Sequence, residues 1–123
     1  MRAVQVMAPG RAEFIEMDMP ELEPRHALIR VRRVSLCGSD VRMLHFSPPA
    51  HYPFPPGTTG HEIVGEVVAV DAPDSGIDVG VNALVLVPGH IGMMEYLTAP
   101  VEKVFPLPPG KPIEHFLQAQ QLG

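Results

Sequence analysis

The sequence has one cysteine in 123 residues, so no intrachain disulfide can form and an oxidising compartment offers the fold no stabilisation. It has no apolar run approaching the roughly 20 residues that cross a bilayer. Its start, Met1-Arg2-Ala3-Val4-Gln5-Val6, alternates like a strand and lacks the apolar block of a signal peptide. Positive charge is scarce: Lys and Arg number 9 against 14 Asp and Glu, and the net charge of −5 argues against nucleic acid or a membrane surface as the main partner. There is no phosphate-binding loop, because Gly89-His90-Ile91-Gly92 belongs to no strand–GxGxxG–helix unit. Ser39 and Ser75 sit in no nucleophile-elbow context. Internal repeats and low-complexity tracts are also absent. A single cytoplasmic domain is the default expectation, since 123 residues suffice for one core and not for two.

What is abundant is punctuation. Fifteen prolines and eleven glycines cut the chain into short pieces, which favours short strands joined by turns in a barrel or sandwich. Arg2–Met7 and Glu13–Asp18 read as a hairpin around the turn Ala8-Pro9-Gly10-Arg11. His26–Leu36 reads as a strand whose alternation fails at Arg32-Arg33, where a bulge or twist is expected. Ser39–Phe46 is the first credible helix, capped by Ser39 or Asp40, with Val41, Met43 and Leu44 able to face inward. Ser47 to Thr59 contains five prolines and is expected to be a long, stiff loop of the kind that carries function. Ile63–Val70 is dense in valine and reads as a strand buried on both faces. Ala83–Val87, Met94–Ala99 and Val104–Leu107 read as further strands, and Pro112 opens a final helix that runs to the chain end.

Three features carry chemistry: Cys37-Gly38-Ser39-Asp40, Gly60-His61-Glu62 and the proline loop between them. Thiolate, imidazole and carboxylate are the usual donors to zinc. Cys37 stands just before the expected helix, where the helix dipole favours the thiolate; a lone cysteine is otherwise most often a buried structural residue. His61 and Glu62 are adjacent, and successive strand residues point to opposite faces. Both reach one metal only if Gly60 leaves the backbone irregular there; otherwise one is a ligand and the other supports it from behind. The bland reading of the pair is a histidine held by a buried carboxylate. Asp40 can orient the second nitrogen of His61 or cap the helix. Ser39 can hold a substrate hydroxyl or serve as the cap. Arg42 and His45 fall on the side of the helix toward the proline loop.

Together these residues resemble the N-terminal GroES-like catalytic domain of the zinc-dependent medium-chain alcohol/polyol dehydrogenase superfamily. The motifs that carry the resemblance are Cys37-Gly38-Ser39-Asp40 and Pro56-Gly57-Thr58-Thr59-Gly60-His61-Glu62-Ile63-Val64-Gly65, followed by the Gly80 turn, Glu95-Tyr96 and Leu107-Pro108-Pro109-Gly110. The resemblance covers essentially the whole chain. It implies a mainly β fold with a few short helices, a GroES-like partly open β-barrel over residues 1–123. The helix 112–123 would lead toward a Rossmann domain that the sequence does not contain.

By resemblance, Cys37, His61 and Glu62 match the catalytic zinc ligands, and Gln120 falls near a further ligand of polyol and sugar dehydrogenases. Ser39 matches the residue that hydrogen-bonds the substrate alcohol and starts its proton relay, and Asp40 matches the partner of the zinc histidine. The implied activity is zinc-polarised oxidation of a small alcohol or polyol, or reduction of a carbonyl, with hydride transfer to NAD or NADP. The implied full-length enzyme is a homo-oligomer, and the isolated chain is expected to be inactive. The sequence departs from the family in three places. The four-cysteine lobe for a structural zinc is missing, since Val87-Pro88-Gly89-His90-Ile91-Gly92 runs almost straight to Glu95. Arg42 stands where many members have a histidine, so His45, one turn away, becomes the relay candidate. The family's Gly-Asp-Arg-Val turn is Gly80-Val81-Asn82-Ala83. Two alternatives compete: a zinc-independent quinone or enoyl reductase domain, and a non-catalytic interaction barrel.

Overall fold

Alternation at the start of the chain produces the expected hairpin: β1 (Arg2–Ala8) pairs antiparallel with β2 (Arg11–Glu16). Beyond it a five-stranded antiparallel sheet has the order β6-β3-β4-β5-β7, built from β3 (His26–Ser35), β4 (Glu62–Val70), β5 (Asn82–Val85), β6 (Tyr96–Pro100) and β7 (Val104–Pro106). Among the described residues, one α-helix, α1 (Gly38–Phe46), and two 3-10 turns, Pro49–His51 and Val101–Lys103, complete the elements. This computed structural model describes residues 1–36, 38–60, 62–86, 91–110 and 112. The expected final helix lies outside those residues.

The long strands β3 and β4 form the spine. Ile63 and Val67 of β4 meet Ala27 and Ile29 of β3, and Ala83, Val85, Leu97, Ala99 and Val104 close the same core cluster. On the other face of β4, Glu62 and Val64 are also fully buried. The first half of β4 is therefore covered on both sides, as its valine-rich composition predicts. Each large aliphatic side chain buried here contributes about 1.5–3 kcal/mol.

The register of β3 against β4 shifts between Val31 and Arg33, at the place where the alternation breaks. The extra residue lets both Val31 and Val34 pack against the core although they are an odd number of positions apart. Arg30 and Arg32 stay outside, where both reach Glu66.

Two strand readings are corrected. The sixth expected strand began at Met94, but β6 starts at Tyr96, and Met94 instead makes an isolated bridge to Ala3. The cause is a crossing of the chain: Met93 accepts from the Val4 amide, Glu95 donates to Arg2, and Val31 donates to Glu95. Residues 93–95 thus stitch β1 to β3 and join the two sheets. Between them is an open apolar hollow of about 230 Å³ lined by Val4, Phe14, Val31, Val34, Met93 and Met94, among others. Among the described residues the sheets do not close into a complete barrel. The second correction concerns β2, which begins at Arg11 and ends at Glu16, two residues earlier at each end than expected.

Close strand packing sets a local requirement at Gly65. A Cβ there would stand 2.4 Å from Cγ2 of Ile29 and 2.7 Å from the backbone oxygen of Arg30. Gly65→Ala is expected to lower stability by roughly 1–3 kcal/mol through overpacking, read as a lower urea midpoint; an unchanged midpoint would show that the β3–β4 spacing yields freely.

Candidate functional site

The two chemical motifs converge on one end of the β3–β4 pair. The ladder closes with Val34 opposite Ile63 and Ser35 opposite Glu62. Past Ser35 the chain runs through Leu36 to α1 at Gly38, and Gly60 precedes the start of β4. Cys37 and His61 lie outside the described residues, as does Gln120. The described residues flanking the first two are side by side at this end of the sheet. Glu62 is described, and its side chain is fully buried at the first position of β4. Among the described residues no three His, Cys, Asp or Glu side chains cluster in a way that could hold a metal.

Helix α1 begins at Gly38, so Ser39 and Asp40 lie inside its first turn and not at a capping position ahead of it. An acidic residue there complements the helix dipole. Asp40 is the residue that α1 buries, at 1% exposure, whereas Val41, expected to face inward, is 47% exposed. The inversion has a clear cause in the contacts of the carboxylate. Oδ1 of Asp40 accepts the backbone N–H of Gly60 at 2.9 Å and the hydroxyl of Thr59. Those bonds offset the cost of taking the side chain out of water. The helix therefore turns Asp40, not Val41, toward the protein. Met43 and Leu44 are half-buried.

Gly60 is held from a second side. Its carbonyl accepts the Gly92 amide at 2.7 Å, and Gly57 accepts the Met93 amide at 2.9 Å. Gly60 has φ +94°, and a Cβ there would meet Cγ2 of Val34 at 2.7 Å. The backbone at Gly60 is thus irregular, unlike that of an ordinary strand residue.

The proline-rich segment is tied down along its length. It contains the 3-10 turn Pro49–His51, which the sequence reading had as irregular, and cis peptides at Tyr52-Pro53 and Thr58-Thr59. Phe54 and Gly57 donate to Val6 and Val4 of β1, each at 2.9 Å, and the Gln5 amide donates to Phe54. Tyr52 donates its hydroxyl to the carbonyl of Met43 at 2.9 Å, and Gly10 donates its amide to Leu44 at 2.8 Å. Both satisfy carbonyls that the last turn of a helix leaves open. The far end of α1 is thereby fixed to the proline segment and to the β1–β2 turn.

Ser39, Arg42 and His45 are exposed on α1. Their i, i+3 spacing puts them along one side of the helix, and the ring of His45 ends over the β1–β2 turn at Gly10. Sequence reasoning missed Thr59 and Tyr52. A hydroxyl residue directly before Gly-His-Glu was the available signal for Thr59; Tyr52 gave none, because its partners are carbonyls of the helix.

Residues 23–109 match the family model of the alcohol dehydrogenase GroES-like domain. The L-threonine 3-dehydrogenase of Pyrococcus horikoshii is 38% identical over 82 residues, covering 65% of this chain and 24% of the relative. The D-altritol 5-dehydrogenase of Agrobacterium fabrum is 41% identical over 71 residues, covering 57% of this chain and 20% of the relative. An alcohol dehydrogenase of Thermus sp. ATN1 superposes with a TM-score of 0.77 at 26% identity, covering 97% of this chain and 43% of that one. The chain thus spans about a quarter or less of the length of these curated relatives. Among the described residues no helix is long and apolar enough to cross a membrane.

Replacing the buried acceptor tests the geometry directly. Asp40→Ala leaves the Gly60 amide and the Thr59 hydroxyl buried without it, and is expected to cost roughly 2–3 kcal/mol, measured by urea unfolding of the metal-free chain. Asp40→Asn keeps an acceptor oxygen and should lose less; equal losses in the two variants would show that a neutral amide oxygen cannot replace the carboxylate as the acceptor for these donors.

Proposed function

Because the chain belongs to the alcohol dehydrogenase GroES-like domain family, we propose that it is the substrate- and zinc-binding domain of an NAD(P)-dependent alcohol, polyol or sugar dehydrogenase. Residues 1–123 form that domain in this reading, and the nucleotide-binding domain lies outside the sequence. The observation that carries the proposal is the juxtaposition at the end of β3–β4. Ser35 pairs with Glu62 and Asp40 bonds to Gly60, so the stretches on either side of positions 37 and 61 meet. The named activities of the relatives, on L-threonine and D-altritol, support a small hydroxylated substrate.

The donor set suits zinc: a cysteine, a histidine and a carboxylate are the ligands that this borderline-soft ion takes. Cys37, His61 and Glu62 would hold it, with Gln120 as a fourth donor. Bound there, zinc supplies Lewis acidity toward a substrate oxygen. The chain's own residues do the rest. Asp40 fixes the approach to His61, and Glu62 brings a carboxylate out of water at the same end of the sheet. Ser39 accepts the substrate hydroxyl's proton and passes it along the exposed side of α1 toward His45. Arg42 stands between them and keeps that side cationic. The hydride acceptor, NAD or NADP, would be held by the nucleotide-binding domain. A cytoplasmic location and homo-oligomeric assembly of the complete enzyme belong to the same proposal.

Metal analysis tests it. The 123-residue chain is expected to bind one equivalent of zinc, and to lose it in Cys37→Ser and in His61→Ala. A wild-type chain that stays metal-free, with both variants unchanged, would favour a zinc-independent reductase domain or an interaction barrel instead. Supplied with NAD(P) and alcohols, the same chain should show no turnover, and measurable turnover would refute the absence of a nicotinamide site.

A further inference from the structure

Thr59 has no role in the reading above, yet it is placed to act on the site. Its side chain is buried, at 5% exposure, and its hydroxyl donates to the same oxygen of Asp40 that holds the Gly60 amide. On its other side Oγ1 lies 3.9 Å from the sulfur of Met43, one turn further along α1. Both backbone polar groups of Gly60 are engaged, the N–H by Asp40 and the C=O by Gly92. The residue directly before His61 therefore depends on where the Asp40 carboxylate points. The Thr59 hydroxyl occupies Oδ1 of that carboxylate from a point two residues before His61, and so helps to restrain its side-chain torsions.

We propose that Thr59 is a positioning residue of the zinc site. Its hydroxyl locks Asp40 against Gly60 and so sets the backbone from which His61 is presented. The inference rests on the zinc reading above and deepens it. Groups that orient metal ligands from behind typically change metal affinity by about 10–100-fold when removed. Thr59 acts through one intermediate residue, so the lower end of that range is expected.

Three variants separate positioning from packing. Thr59→Ser keeps the hydroxyl and loses the methyl group; Thr59→Ala loses both; Thr59→Val keeps the shape and loses the hydroxyl. Zinc affinity of the 123-residue chain is measured by chelator competition at a temperature where each metal-free variant is fully folded. Under that condition a change in stability alone leaves the affinity unaltered. Thr59→Ser should match wild type within about twofold, while Thr59→Ala and Thr59→Val bind about tenfold more weakly. In the cobalt-substituted protein the d–d bands, which report ligand geometry, should shift in the Ala variant and stay in place in the Ser variant. Affinity that follows the methyl group, with Ser and Ala equally weakened, overturns the proposal, and so does wild-type affinity in all three. If Thr59→Val does not fold, the Ser and Ala pair, which differ only in the hydroxyl, decides the question. A wild-type chain that binds no zinc removes the zinc reading and this inference together; a wild type that binds while Thr59→Ala binds equally well removes only the inference.

Discussion

A carboxylate out of water has to be met by donors, and the way this chain meets that demand at Asp40 organises the region around it. The side chain is buried on α1, and its oxygen is occupied by an amide and a hydroxyl from the end of the proline-rich segment. Leaving such a group without partners costs several kcal/mol, so the helix and the segment cannot drift apart independently. The consequence runs in both directions along the chain. The helix is oriented with its polar residue inward and Val41 outward. The segment arrives at β4 with Gly60 already fixed, so the strand starts in one register with Ser35 opposite Glu62.

The remaining anchors serve the same end from other directions. Tyr52 and Gly10 close the last turn of α1, and residues 92 and 93 hold Gly57 and Gly60 from the side of the hairpin. Each is a backbone group answered by a specific partner. This is how a segment with five prolines becomes a defined structure: proline supplies no amide, so the few amides left have to be placed well. The absence of a regular ladder here is compatible with rigidity. The two sheets remain open to each other around the apolar hollow, yet the end where the Cys37 and His61 motifs lie in sequence is cross-braced.

The elements of the fold were legible because they rest on local patterns. The hairpin, the long strands, the helix after Cys37 and the bulge at Arg32-Arg33 follow from alternation and its interruptions. What local pattern could not give is which contacts turn a residue inward. An amphipathic reading of α1 favoured Val41, because valine prefers burial to aspartate in general; a buried tertiary acceptor reversed that order. The start of the sixth strand was placed two residues early, at Met94, for a related reason. Its apolar residues have the composition of a strand, but the chain there serves as a seam between two sheets, and such crossings depend on residues far away in sequence. At the site, the motifs around Cys37 and His61 were conspicuous as chemistry, whereas Thr59 and Tyr52 act through hydrogen bonds to groups that no motif displays.

The position of Gly60 shows why motif and support have to be read together. Adjacent donors are a poor arrangement on a regular strand, since alternate side chains diverge. Gly60 has a left-handed backbone two positions ahead of Glu62, where the ladder begins, and only glycine fits at position 60, because a Cβ would strike Val34. That turn is not self-sustaining: glycine has more freedom to lose than any other residue, and left alone it would sample many conformations. The Asp40 carboxylate and the Gly92 amide remove that freedom, one at each peptide group. The glycine just ahead of the His61-Glu62 pair is therefore the residue most in need of outside restraint. In this chain that restraint comes from a helix that begins one residue after the cysteine with which those donors would share a metal.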